Sequence, residues 1–183
     1  MAARASPTIL RDYRMQKSNL DIHETTEMDL ENIRALWNDG EVMHFVGFPN
    51  GIGVDIPYLE NWLRGIRKRR PLVNHYSIYS DRIGYCGETY YRIETDRGYA
   101  SALDIKLVPG ARGQGIASAA LSFAMEQAFT NGATRVWVDP NPENKKALAL
   151  YRRLGFVEKP MPQSLTKSAQ PIDTVYLERM KPL

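Results

Sequence analysis

The sequence predicts one mixed α/β domain, and three observations carry that reading. The 183 residues suit a single domain, and the hydrophobic fraction of 43% is near the globular norm. Runs with strand patterning take turns with runs at helical spacing, in the order β-α-α-β-β-β-α-β-α-β-β. No internal repeat and no linker interrupts that order. The domain is read as residues 20–183, preceded by residues 1–19 as a flexible lead-in.

The lead-in is basic but lacks the apolar core of a secretory signal, and Met15 offers an alternative start. Leu20 to Glu24 alternates and predicts the first strand. Thr26 and Asp29 stand three apart before an apolar run, in the manner of a capping box. Leu30, Ile33 and Trp37 follow at helical spacing, and Gly40 marks the stop. Glu41 to Asp55, with three glycines, a proline and Phe45 and Phe48, reads as a loop. Its rings either pin it to the core or line a cleft. Pro57 opens a second helix with Leu59, Trp62, Leu63 and Ile66 on its apolar face. Its basic end, Arg64 and Arg67 to Arg70, complements the helix dipole or docks an anionic partner.

Asn74 to Tyr79 and Arg82 to Ile93 predict two strands joined at Asp81-Arg82, and the polar turn Glu94 to Gly98 leads to a third. That third strand holds Leu103 to Val108 and ends at Pro109-Gly110, since proline offers no N–H to a ladder. Ala117, Leu121, Ala124, Met125 and Ala128 form the face of the next helix. Val136 to Val138 is a short strand. Asn141 caps the helix after it with Pro142 at its first position, Ala147, Leu150, Tyr151 and Leu154 give its apolar face, and Gly155 stops it. Phe156 to Glu158 begins a strand, Lys159 to Pro171 is a loop, and Asp173 to Met180 closes the chain.

Composition narrows the function. A net charge of +3 with both signs interspersed leaves no footprint for nucleic acid. No apolar run reaches membrane-spanning length. One cysteine, Cys86, excludes an internal disulfide framework and reads as buried filler; a reducing cytoplasm is the default compartment. His23, His44 and His75 show no ligand spacing, so no metal is expected.

The segment Arg112-Gly113-Gln114-Gly115-Ile116-Ala117 links a strand to a helix through glycines. The first N–H groups of a helix lack partners and sit at the positive end of its dipole. Glycines let the backbone approach an anion, and Arg112 adds a bidentate donor, so a diphosphate is the natural ligand. The turn lacks the Gly-Lys-Ser/Thr of a triphosphate loop. The acidic residue that a dinucleotide fingerprint needs is missing near Thr134.

Arg112, Gly115 and Ala117 fill the pattern Arg/Gln-x-x-Gly-x-Gly/Ala. Asn144, Ala147, Tyr151 and Gly155-Phe156 fill a second, Asn-x-x-Ala-x-x-x-Tyr-x-x-x-Gly-Phe. In this order the two blocks resemble the acetyl-coenzyme A loop and following helix of the GNAT superfamily of N-acetyltransferases. The resemblance implies a mixed, mostly antiparallel sheet flanked by helices, whose central strand splays from the strand at Val136 to admit the pantetheine arm. It implies acetyl-coenzyme A as co-substrate, held by residues 112–117, and direct transfer of the acetyl group to a primary amine. A backbone N–H of Leu107 or Val108 would polarise the thioester carbonyl, and Asn144 would bond the pantetheine arm or simply cap its helix. Tyr151 would protonate the departing thiolate, against the plain reading of a core tyrosine. Asp104 would deprotonate the amine or order the water that does so, against the plain reading of an ion pair with Lys106. Glu88 is the second candidate base, against that of a solvent-facing strand residue.

The acceptor is less defined. Ile83-Gly84-Tyr85, Asp104 and the run Asp139 to Asn144 are similar to the aminoglycoside 6′-N-acetyltransferase branch, and the style of Glu24 to Val46 is similar to the ribosomal-protein N-acetyltransferases. A polycationic acceptor calls for an acidic site, whereas the segment 41–70 sets only Glu41, Asp55 and Glu60 against a dense basic end. The acceptor is therefore read as the amine of a small molecule or peptide. An acetyl-coenzyme A sensor without turnover is the alternative outside catalysis. Oligomeric state is open, a homodimer included.

Overall fold

A computed structural model describes residues 20–163 and 174–182. Seven strands form one sheet in the order β1-β2-β3-β4-β5-β7-β6. They are β1 (Leu20–Glu24), β2 (Val73–Ser80), β3 (Gly84–Glu94), β4 (Ala100–Leu107), β5 (Arg135–Val138), β6 (Val157–Glu158) and β7 (Leu177–Met180). Only β4 and β5 run parallel; every other neighbouring pair is antiparallel. The lead-in, most of the loop after Lys159 and Asp173 lie outside the described residues.

Two helix layers cover the sheet. On one face lie α1 (Leu30–Trp37) and α3 (Ile56–Lys68), which pack Leu30, Ile33, Leu59 and Leu63 together. On the other lie α4 (Ile116–Thr130) and α5 (Lys145–Arg153). Their core joins Leu121, Ala124 and Ala128 of α4 and Leu148 and Tyr151 of α5 to Tyr91, Leu103 and Val136 of the sheet. Alternation along the strands explains the division. On β3, Tyr91 and Ile93 turn to the α4 side, while Glu88 turns to α1.

The predicted caps are largely present. The Asp29 carboxylate accepts from the N–H and hydroxyl of Thr26 at 2.8 and 3.1 Å, the acidic arm of the expected capping box. Asp55 accepts from the N–H of Tyr58 at 2.9 Å with Pro57 in the first turn of α3. The helix after β5 differs from expectation. It starts at Lys145, and Asn144 caps it by accepting from the N–H of Ala147 at 3.1 Å. Asn141 instead accepts from the N–H of Glu143 at 2.8 Å, a local turn that competes with helix initiation.

The 41–55 loop also differs. It opens with a four-residue helix, α2 (Gly40–Met43), and a further turn at His44–Val46. Phe45 and Phe48 do not pin it to the core, being 39% and 45% exposed. Met43 and Val54 are buried in their place. Asn38 closes the base of the loop: its side-chain carbonyl accepts from the N–H groups of Gly53 and Val54, and its side-chain amide donates to Val54 O. Gly51 lies so close to Asn38 that a Cβ there would stand 2.3 Å from its backbone carbonyl oxygen.

Candidate active site

The pairing of β4 with β5 stops early. Ala100, Ser101 and Ala102 align with Arg135, Val136 and Trp137, and past that point the two strands have no register partners in each other. Leu103 to Leu107 therefore borders an opening. Val108 donates its N–H to Cys86 O at 3.0 Å, so that group is spent on β3. Successive N–H groups of a strand point to opposite sides, so those of Ile105 and Leu107 point away from β3; the Ile105 N–H is taken by Asp104 Oδ1 at 2.8 Å, which leaves that of Leu107 directed at the opening.

One end of the opening is the glycine turn. Gly113 and Gly115 hold φ of +75° and +78°, a region that side chains disfavour, and Gly115 precedes the first turn of α4 without a side-chain cap. The leading N–H groups of α4 are thus not capped by a side chain. Gln114 folds back to donate to Gly110 O at 2.7 Å, which secures the turn. Ile116 is buried and Ala117 is half-buried. Arg112 donates through Nε to Leu107 O at 3.3 Å and through Nη1 to Glu41 at 2.8 Å. Arg112 and the start of α4, without a side-chain cap, thus flank the glycine turn.

The sheet face under α1 and α3 carries the charged groups. Glu88 pairs in register with Lys106, and Tyr90 with Asp104. The Glu88 carboxylate is buried and accepts from Trp37 Nε1 at 2.7 Å, with Lys106 Nζ 3.4 Å away. Its other oxygen stands 3.1 Å from His75 Nε2, an ion-pair distance without the alignment of a hydrogen bond. Burial alone would raise this carboxyl. The charges of His75 and Lys106 and the donors around it outweigh burial and hold it well below the usual carboxylate range. The plain reading of Glu88 as solvent-facing is overturned. Asp104 pairs with Lys106, as its plain reading anticipated, yet keeps 32% of its side chain open.

Asp139 follows β5 at the far side of the opening. Ala102 and Trp137 are register partners, so by alternation Asp104 and Asp139, each two residues further on, lie on the same face of the opening. Crowding by protein, with the like charge of Asp104 second, raises the Asp139 carboxyl to about 6, although its side chain keeps an exposed side. Tyr151 of α5 is buried against Phe156, with ring centroids 5.7 Å apart. Burial first, then Asp104, raises its phenol well above the ordinary value, with Lys106 opposing. Asp104, Lys106 and Asp139 thus all lie within electrostatic reach of Tyr151, and Asp104 within reach of Asp139.

The sequence model of the acetyltransferase (GNAT) domain matches residues 19–157, most of the chain. The chain belongs to the GNAT acetyltransferase family. Among curated GNAT relatives it is 39% identical over 64 residues to the N-alpha-acetyltransferase MAK3 of Arabidopsis thaliana. That stretch is 35% of this chain and spans about a third, 33%, of the relative. Two solved structures share the fold. The spermidine N-acetyltransferase of Vibrio cholerae, in complex with CoA and spermine, superposes with a TM-score of 0.74 at 19% identity, covering 90% of this chain and 96% of that one. The ribosomal-protein-alanine N-acetyltransferase of Brucella melitensis gives 0.69 at 22% identity, covering 88% and 99%.

Within this GNAT domain the predicted Asp104, Leu107 and Tyr151 border or electrostatically sense one opening, and the 112–117 turn stands at its end. Glu88 stands behind Lys106, and Asn144 serves as a helix cap. Sequence reasoning missed His75, Lys106 and Trp37 as partners of Glu88, because strand register and the packing of α1 on the sheet bring them together. Asp139 had a signal, its Asp-Pro run directly after a strand.

Proposed function

We propose that the chain transfers an acetyl group from acetyl-coenzyme A directly to a primary amine of a small molecule or peptide. The observation that carries this is the opening between β4 and β5, with an anion cradle at one end and Asp104 on its face. Acetyl-coenzyme A supplies the acyl group as a thioester. The leading N–H groups of α4, Gly113, Gly115 and Arg112 hold its diphosphate, with Arg112 turning from Glu41 to do so. The N–H of Leu107 polarises the thioester carbonyl.

Asp104 and Asp139 face the acceptor as an ammonium ion and favour its approach. Asp104, or a water it orders, takes one ammonium proton. The freed nitrogen pair forms the C–N bond as the C–S bond breaks. The second nitrogen proton leaves as the amide forms and ends on the departing sulfur, to which Tyr151 donates a hydrogen bond; its raised phenol suits a donor better than a free acid. The products are the N-acetyl amine, free coenzyme A and one proton. The exposed Phe45, Phe48 and Ile52 supply an apolar flank on the loop whose Glu41 meets Arg112.

The test is thiol release from acetyl-coenzyme A against polyamines, aminoglycosides, amino acids and peptides with free N-termini. We expect acceptor-dependent release that falls on the order of 100-fold in Asp104→Asn and Tyr151→Phe, with acetyl-coenzyme A affinity kept. Binding without release by any amine would mark a sensor instead, and absence of binding would sink the cradle.

A further inference from the structure

We propose that Lys106 is a positioning residue of this site: it fixes the Asp104 carboxylate toward the opening, and Glu88 in turn fixes Lys106. The inference rests on the acetyl-transfer reading and assigns a role to a residue that touches neither substrate.

The geometry is a row of ionisable side chains across three strands: His75 on β2, Glu88 on β3, then Lys106 and Asp104 on β4. Their side chains are 3%, 3%, 11% and 32% exposed in that order. Only the last member is open to a substrate. Asp104 is gripped at both oxygens. Oδ1 accepts from the N–H of Ile105 at 2.8 Å, and Oδ2 accepts from Lys106 Nζ. A carboxylate held in this way keeps one direction while each oxygen retains a lone pair for the amine.

Lys106 itself is set by Glu88, its register partner, 3.4 Å from Nζ. Glu88 is clamped from behind by Trp37 of α1 and by His75. His75 is fixed by the hydroxyl of Thr25 at 2.7 Å and by the edge of the Trp62 ring, 4.7 Å between centroids. Helix α1 thereby reaches Asp104 through Trp37, Glu88 and Lys106, and α3 through Trp62, His75, Glu88 and Lys106. Sheet stability alone does not call for this row. Buried charges lose their hydration, and apolar residues of similar volume often serve a core as well or better. What the row adds is direction at its open end.

The experiment is a double-mutant cycle with the best amine of the panel. Lys106→Met should lower kcat/KM for the amine on the order of 10- to 100-fold, the scale of a misplaced reacting group. Affinity for acetyl-coenzyme A should stay within about twofold of wild type, and Lys106→Arg should restore most of the loss. In an Asp104→Asn background, Lys106→Met should cost little more, because Lys106 acts through Asp104. Lys106→Met/Glu88→Gln removes both buried charges and guards against misfolding; it should melt near wild type and keep the catalytic loss. Additive losses in the cycle, or a double variant that recovers activity along with stability, would overturn the proposal while leaving acetyl transfer standing. If wild type acetylates no amine, the acetyl-transfer reading falls and this role falls with it.

Discussion

At Glu88 two large effects oppose each other. Burial disfavours the charged carboxylate, and His75, Lys106 and Trp37 more than compensate, so the folded carboxyl lies below its ordinary 4.5. In the window below that value the unfolded chain binds more protons than the folded one. Stability is therefore complete above about 4.5 and drains away as pH falls toward about 2. Thermal melting across pH should show this slope in wild type. Glu88→Gln should melt lower at pH 7 and lose less on acidification; an equal acid slope in both would put the sensitive group elsewhere. The same residue shows how far the sequence could be read. The places of Asp104 and Tyr151 in the fold were legible because each sits in a motif or on an alternating strand whose face can be counted. The burial of Glu88 was not, because it depends on which residues of β2, β4 and α1 stand opposite, and sequence spacing does not encode register between distant strands. For a related reason the sequence did not show that the Val108 N–H is spent on Cys86 O: which way an N–H points follows from the ladder it joins.

Helices and strands were more legible than their ends. The apolar faces of α1, α3 and α4 carry their own period and the structure keeps those helices, and β1 and β2 form where alternation placed them, although β2 is buried on both faces from Val73 to Ile78. The start of α5 was misplaced because Asn141 and Asn144 both offer a capping oxygen, and only the folded chain decides between them. Helix α2 has too few residues to show a period. It matters nonetheless, because its Glu41 holds Arg112 of the anion cradle across the cleft. Both side chains are substantially exposed, so the pair is worth at most about 1 kcal/mol. A diphosphate must draw Arg112 away from it. Glu41→Gln should therefore tighten acetyl-coenzyme A binding by about two- to fivefold in a calorimetric titration. The gain should shrink as salt is raised. Weaker binding would mean that Glu41 aims Arg112 at the diphosphate rather than competing with it.

Over the whole molecule the sheet has a closed end and an open one. At the closed end Thr134 donates its N–H to Tyr99 O at 3.0 Å and its hydroxyl to Gly98 O at 2.7 Å, and Arg135 donates to Arg97 O at 3.1 Å. Three register positions follow, and then β4 and β5 part. The four strands β1 to β4 and the three strands β5 to β7 are thus joined by a short seam and by the helices α4 and α5 laid across it. A molecule seated in the opening bonds to both halves where they lack each other, so its binding energy should appear as resistance to opening of that seam. Amide hydrogen exchange can locate it. With coenzyme A added, exchange should slow at residues 103–107, at 136–139 and in the glycine turn, while β1 and β2, paired away from the opening, should change little. Protection confined to residues 112–118 would show that the diphosphate binds without the pantetheine arm entering the sheet. Uniform slowing of every strand would mean global stabilisation, and the seam would then have no separate mechanical part in binding.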